Sequence, residues 1–136
     1  RDNKPGKGEN TTVAYEQSVV YHIIGVPASA DLSASQFCFV TVNANGQLAL
    51  PAAGGDADGI LQDKPNGSGV EGSVATGGVS KLVVGAAGVT AGDLLASDAN
   101  GHAVTAATGN KILGRALATG AAGVIIPALI QQKGKD

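Results

Sequence analysis

The chain has 136 residues, a formal net charge of −2, 43% hydrophobic but only 3% aromatic residues, 21 glycines, one cysteine and no tryptophan or methionine. Nine basic against eleven acidic residues supply no long-range field for nucleic acid, the lone Cys38 forms no internal disulfide, and no stretch nears the roughly 20 apolar residues of a membrane-spanning helix. A soluble chain of one domain or two very small ones is expected, with a core of Ala, Val, Leu and Ile thin enough to gain from a partner surface.

Residues 1–18 are polar and rich in Gly, Lys and Asn, and they read as an extended arm with no core of its own. No apolar signal-peptide segment is present, and the lack of any methionine predicts that residues once preceded Arg1. Within the arm, Thr11-Thr12-Val13-Ala14-Tyr15 carries β-branched and aromatic side chains suited to adding as a strand to another chain's sheet edge, which makes Thr11, Thr12, Val13 and Tyr15 candidate contacts. A first β unit is expected over 19–65, with strands at 19–26, 37–42, 47–50 and 59–62 and one helical turn's worth of sequence at 31–36. A turn-rich join follows at 63–69. A second β unit is expected over 66–131, with strands at 70–76, 79–84, 93–99, 102–106, 111–118 and 123–130, and then a polar tail over 132–136. Gly77-Gly78 reads as a two-residue hairpin loop. Pro127 lacks a ladder donor, so it predicts an edge strand or a bulge for the last segment. The fold class implied is all-β, a small barrel or sandwich of two related hairpin-rich units.

The two units are related by sequence. At an offset of 55, six of the sixteen positions from 44 to 59 are identical, including Ala44-Asn45-Gly46 with Ala99-Asn100-Gly101, Gly54 with Gly109, and Gly59 with Gly114. Asn-Gly between strands predicts a two-residue type I′ hairpin with positive φ at both residues, so Asn45, Gly46, Asn100 and Gly101, with Gly77 and Gly78, are expected as structural turns. Repetition of turn chemistry requires no ligand.

Motifs for reaction chemistry are weak. Gly67-Ser68-Gly69-Val70-Glu71-Gly72 matches G-x-G-x-x-G, yet it precedes strand-like residues where a dinucleotide site needs a helix. Asp56-Ala57-Asp58-Gly59 and Asp98-Ala99-Asn100-Gly101 lack the spacing and distal glutamate of a calcium loop and read as turns. His22 and His102 stand apart from any Ser, Cys or Asp at motif spacing, and His102 after a hairpin glycine is expected to be exposed. Cys38 within Phe37-Cys38-Phe39-Val40 reads as a buried small hydrophobe. No catalytic, cofactor-binding or metal residue is assigned.

The order and spacing of Gly59-Ile60-Leu61-Gln62-Asp63-Lys64-Pro65, Val79-Ser80-Lys81-Leu82-Val83-Val84, Ala91-Gly92-Asp93-Leu94-Leu95-Ala96-Ser97-Asp98-Ala99-Asn100-Gly101 and Ile112-Leu113-Gly114-Arg115-Ala116-Leu117 resemble the decoration, or cement, proteins of tailed-bacteriophage capsids, over about residues 58–130. The resemblance implies a β-rich structural protein on the outer surface of the shell, clamping neighbouring copies of the major capsid protein, often as a homotrimer. It implies no enzyme activity, no cofactor, and no direct contact with nucleic acid or membrane. The arm residues Thr11, Thr12, Val13 and Tyr15 then become candidate capsid contacts. Two other classes differ in their requirements. A receptor- or glycan-binding head fibre favours exposed aromatic clusters, and only four aromatics are available. A lipoyl- or biotinyl-type carrier needs its lysine at a hairpin tip, whereas Lys81 falls within a predicted strand.

Overall fold

A computed structural model describes residues 22–135, which contain ten strands and no helix. They are β1 His22–Pro27, β2 Phe39–Val42, β3 Leu48–Ala49, β4 Gly59–Leu61, β5 Glu71–Ala75, β6 Val79–Val83, β7 Leu94–Ser97, β8 Ala103–Thr105, β9 Lys111–Ala116 and β10 Ile125–Lys135. All strand pairs are antiparallel, in two five-stranded sheets ordered β1-β5-β4-β2-β3 and β6-β10-β9-β7-β8. The all-β expectation holds. The expected arm, with Thr11, Thr12, Val13 and Tyr15, lies outside the described residues.

The two sheet orders are the same pattern written twice. The duplication is therefore of a whole five-stranded unit, well beyond the sixteen residues whose identities reveal it. Phe39 faces Ile60 and Ile60 faces Ala75 in the N-terminal sheet, as Leu94 faces Arg115 and Arg115 faces Leu129 in the C-terminal one. Each sheet also curls: parallel bridges join Ala28 to Leu48 and Val84 to Ala103, backed by Ser29 N–H donating to the Leu48 carbonyl and Gly85 N–H to the Ala103 carbonyl, both at 2.8 Å. Each unit is thus a small, partly closed barrel with its own interior. In the N-terminal unit Ala28, Leu32, Val40, Leu48, Leu61 and Val74 fill it. In the C-terminal unit Val84, Val89, Leu95, Ala103, Ala116 and Ala128 occupy the corresponding places.

The units stack asymmetrically. Phe39, Ile60 and Ala75 turn away from the N-terminal interior and complete the C-terminal core beside Leu82, Leu113 and Ile126, so one continuous apolar cluster spans both. Polar bonds seal the junction: Phe39 N–H donates to the Gly101 carbonyl at 2.7 Å, Val83 N–H to the Phe37 carbonyl at 2.9 Å, and Gln132 Nε2–H to the Ala57 carbonyl at 2.7 Å.

Several expectations are corrected. Gly77-Gly78 is not a hairpin loop; β5 and β6 belong to different sheets, and this dipeptide is the crossing between them. The change of unit consequently falls after Ala75 and not at 65/66, because β5 is paired on both sides within the first sheet. The supposed tail at 132–136 continues β10 as far as Lys135, where Gly134 and Lys135 pair with Ile112 and Lys111 beyond a register shift. Pro127 sits in a strand flanked on both sides. It is tolerated because its partner on the β9 side is Leu117, one residue past the end of β9, whose N–H donates to the Pro127 carbonyl at 3.0 Å; only the return bond is lost at the fraying end of that ladder.

Candidate functional site

Asn45, Gly46, Asn100 and Gly101 lie in turns that join β2 to β3 and β7 to β8, with a geometry other than the expected one. Asn43 Oδ1 accepts from Asn45 N–H at 2.9 Å and Gln47 N–H at 3.0 Å; Asp98 Oδ1 accepts from Asn100 N–H at 2.8 Å and His102 N–H at 2.9 Å. Gly46 and Gly101 donate back to the carbonyls of Asn43 and Asp98. Only the glycines have positive φ, +74° and +78°, and Asn45 and Asn100 do not. These are type I turns followed by a left-handed glycine at a bulge, and not type I′ turns. An Asx side chain two residues before the asparagine selects this form by satisfying two amide donors at once.

Several of the carboxylates are engaged in holding loops. Asp58 Oδ2 accepts from Val42 N–H at 2.7 Å and Thr41 Oγ1–H at 3.2 Å, Asp93 Oδ2 from Thr90 N–H and Thr105 Oγ1–H at 2.9 Å each, and Asp56 pairs with Lys111 at 3.6 Å. Gly67-Ser68-Gly69-Val70-Glu71-Gly72 passes from a turn directly into β5. His102 is half-buried and not exposed as expected, with Nδ1 4.0 Å from Asp98 Oδ2, while His22 is exposed at the start of β1. Cys38 is buried, and burial together with the nearby Asp98 carboxylate pushes its thiol up to about 11. Lys81 lies in the middle of β6 with Nζ 5.3 Å above the Phe37 ring. That is a strand position, unlike the hairpin tip a carrier lysine needs.

What stands out is a surface. By register, Val79 faces Leu129, Lys81 faces Pro127 and Val83 faces Ile125, and Leu129 in turn faces Arg115. Directly opposed residues share a sheet face, so β6, β10 and β9 present one contiguous patch of Val79, Ile125, Pro127 and Leu129 with Lys81 and Arg115 set into it. Val79 is 61% exposed and Ile125 48%, with Leu117 and Val124 also exposed beside them. A single exposed leucine needs no explanation, but a run of this kind on one face does. On the N-terminal unit the corresponding face holds a shallow groove of about 420 Å³ lined by His22, Ile24, Gly25, Asp63, Glu71, Gly72 and Ser73, with Ile24 81% exposed at its rim. A second open groove of about 460 Å³, among Ala87–Thr90, Asp93, Thr105 and Thr119–Ala121, belongs to the C-terminal unit's loops. Sequence reading passed over Ile24, Asp63, Glu71 and Arg115. The signal available was the alternation Val79-Ser80-Lys81-Leu82-Val83, whose odd-numbered members are too apolar for a solvent face.

No protein-family model matches the chain. No curated protein matches it either. Among solved structures, the fold is similar to the head fiber gp8.5 N base of bacteriophage phi29, with a TM-score of 0.63 at 14% identity, over 85% of this chain and 97% of that one.

Proposed function

We propose that the chain is a structural protein of a tailed-phage virion, a β module that attaches to the outer surface of the capsid, contacts the major capsid protein, and stabilises the shell by clamping neighbouring subunits as a homotrimer. The observation that carries this reading is the fold likeness to a phage head fibre base, which extends over nearly the whole of that base. The physical features agree. A clamp needs a rigid sheet scaffold and apolar surface left over for neighbours, and the face on β6, β10 and β9 supplies the second. It needs no reacting group, cofactor or metal, and the carboxylates of Asp58, Asp93 and Asp98 are committed to backbone donors. A protein that binds the assembled shell better than free subunits stabilises it by mass action without turnover.

The same likeness favours a second reading, in which the module is the anchoring base of a head fibre and carries a receptor- or glycan-binding part outward. The two differ in what attachment does to the shell. Co-sedimentation of the purified chain with emptied phage heads, followed by heating of filled heads with and without it, separates them. Binding with a raised temperature of genome release is expected for the clamp. Binding with no change in release supports the fibre base alone, and failure to bind overturns both. A chain lacking residues 1–18 is expected to remain folded and to lose occupancy.

A further inference from the structure

The register equivalence of the two units gives the uncovered face a specific meaning. Within one chain, the row Phe39-Ile60-Ala75 of the N-terminal sheet is buried against the C-terminal unit. The matching row of the C-terminal sheet, Leu94-Arg115-Leu129, continues through Val79 and is left facing outward. The duplicated unit thus carries a packing surface that is used once per chain and stands open once per chain. Two of the differences in the open copy introduce positive charge. Ile60 is replaced by Arg115, and the neighbouring strand position that holds Ile24 opposite Ser73 in the first unit holds Lys81 opposite Pro127 in the second. The open surface is therefore apolar with two cations. Lys81 and Arg115 make no ion pair among the described residues.

The opposite charge lies on the same chain. The groove on the N-terminal unit presents Asp63 and Glu71 beside the exposed Ile24, so it carries acidic groups where the C-terminal face carries basic ones, and Ile24 on one side and Val79 and Ile125 on the other are apolar surface for the contact to cover. Charge complementarity of this kind selects partners and fixes register. We infer that the chain associates with a second copy of itself head to tail, the Lys81/Arg115 face of the C-terminal unit on one copy covering the Asp63/Glu71 groove of the N-terminal unit on the next. The contact is heterologous: each copy uses one surface to give and a different one to receive, so repetition closes into a ring if the rotation between copies permits. This rests on the self-association part of the function proposed above and not on attachment to a shell, and its test needs no phage particle.

The test is sedimentation of the full chain and four variants at equal concentration. The unchanged protein is expected to self-associate, with association weakening as salt rises from about 0.05 to about 0.5 M because the charges at the rim are screened. Arg115→Glu and Lys81→Glu put like charges face to face and should each weaken association about tenfold or more. Glu71→Arg should do the same alone, and combining it with Arg115→Glu should restore association above that of either single variant. All substituted side chains are exposed, and far-UV circular dichroism identical to the parent checks that each variant is folded. A parent that stays monomeric, single variants that associate like the parent, or a combined variant no tighter than its singles would each overturn the inference. Head binding by a monomeric parent would leave the proposed attachment standing and remove only this contact.

Discussion

Gly46 and Gly101 offer an internal control rarely available in one chain. They occupy equivalent places in equivalent turns, with φ of +74° and +78°. Alanine at either position forces a Cβ into the left-handed region, a cost of about 1–2 kcal/mol. A Cβ at Gly46 meets no atom within 4 Å, so that cost stands alone. At Gly101 the added carbon falls 2.5 Å from the Phe39 carbonyl oxygen and 3.0 Å from Cys38 Cβ. Neither can rotate away, because Phe39 N–H is itself bonded to the Gly101 carbonyl and its side chain is locked in the shared core. Relief requires moving β2 against the C-terminal unit, an overpacking cost of about 1–3 kcal/mol. Gly101→Ala is expected to destabilise by about 2–5 kcal/mol and Gly46→Ala by about 1–2. Urea unfolding followed by far-UV circular dichroism, extrapolated linearly, measures both. Equal losses in the two variants would refute the idea that the turn of one unit is a structural contact of the other.

Gly114→Ala is expected to cost about 1–3 kcal/mol although its φ is ordinary, because a Cβ there would lie 2.7 Å from the Leu129 carbonyl oxygen of the adjoining strand; thermal unfolding should show a larger loss for Gly59→Ala, where the added carbon would press closer still on the Ala75 carbonyl oxygen and lie 2.7 Å from Val74 Cγ1. For Cys38 the sign of the pH effect follows from a thiol held up to about 11 in the fold. An unfolded thiol ionises from about 8.5, so between there and 11 the folded chain keeps a proton the unfolded chain has released, and stability falls as pH rises through that window, at most by about 1.4 kcal/mol per pH unit. Urea midpoints at about pH 8 and about pH 10.5 for the parent and Cys38→Ala read it; an identical decline in both would assign the effect to other groups.

Fold class was legible because strand alternation and Asn-Gly punctuation are local signals, and both Asn-Gly segments join antiparallel strands, although the register, Val42 with Leu48 and Ser97 with Ala103, differs by one residue from that of a two-residue loop. Which strands share a sheet was not. Gly77-Gly78 looks like a hairpin because nothing local distinguishes two strands that pair from two that part into different sheets. The turn type is not set by Asn45 and Asn100: Asn43 and Asp98, which differ in identity but both offer an oxygen to the same two amides, choose the geometry. Gly59 and Gly114 lie in strands as expected, but the reason for glycine there, a neighbouring carbonyl that leaves no room for Cβ, is not a local signal. The outward face escaped notice because burial by another unit is a tertiary fact. Ile60 and Arg115 occupy the same strand position, and only packing tells that one is covered and the other is not.

The same logic accounts for the least expected backbone in the molecule. Phe37 adopts φ of +64°, alone among described non-glycine residues, and the equivalent position of the second unit is Gly92 at +93°. Both donate from N–H to the corresponding carbonyl, Leu61 and Ala116 respectively, so the duplicated unit demands left-handed backbone here and glycine meets the demand without strain. A phenylalanine in that conformation costs roughly 1–3 kcal/mol and persists only where the surroundings repay it. They do so at the junction. Its ring packs against the shared core, its carbonyl receives Val83 N–H at 2.9 Å, and Lys81 Nζ lies over the ring. Strain is thus carried in the unit whose outer surface is covered, while the unit whose equivalent surface stands open keeps the unstrained glycine. A side chain at Gly92 would meet the Arg115 guanidinium, with Nη2 3.6 Å from the added Cβ, whereas Phe37 has the shared core to pack against.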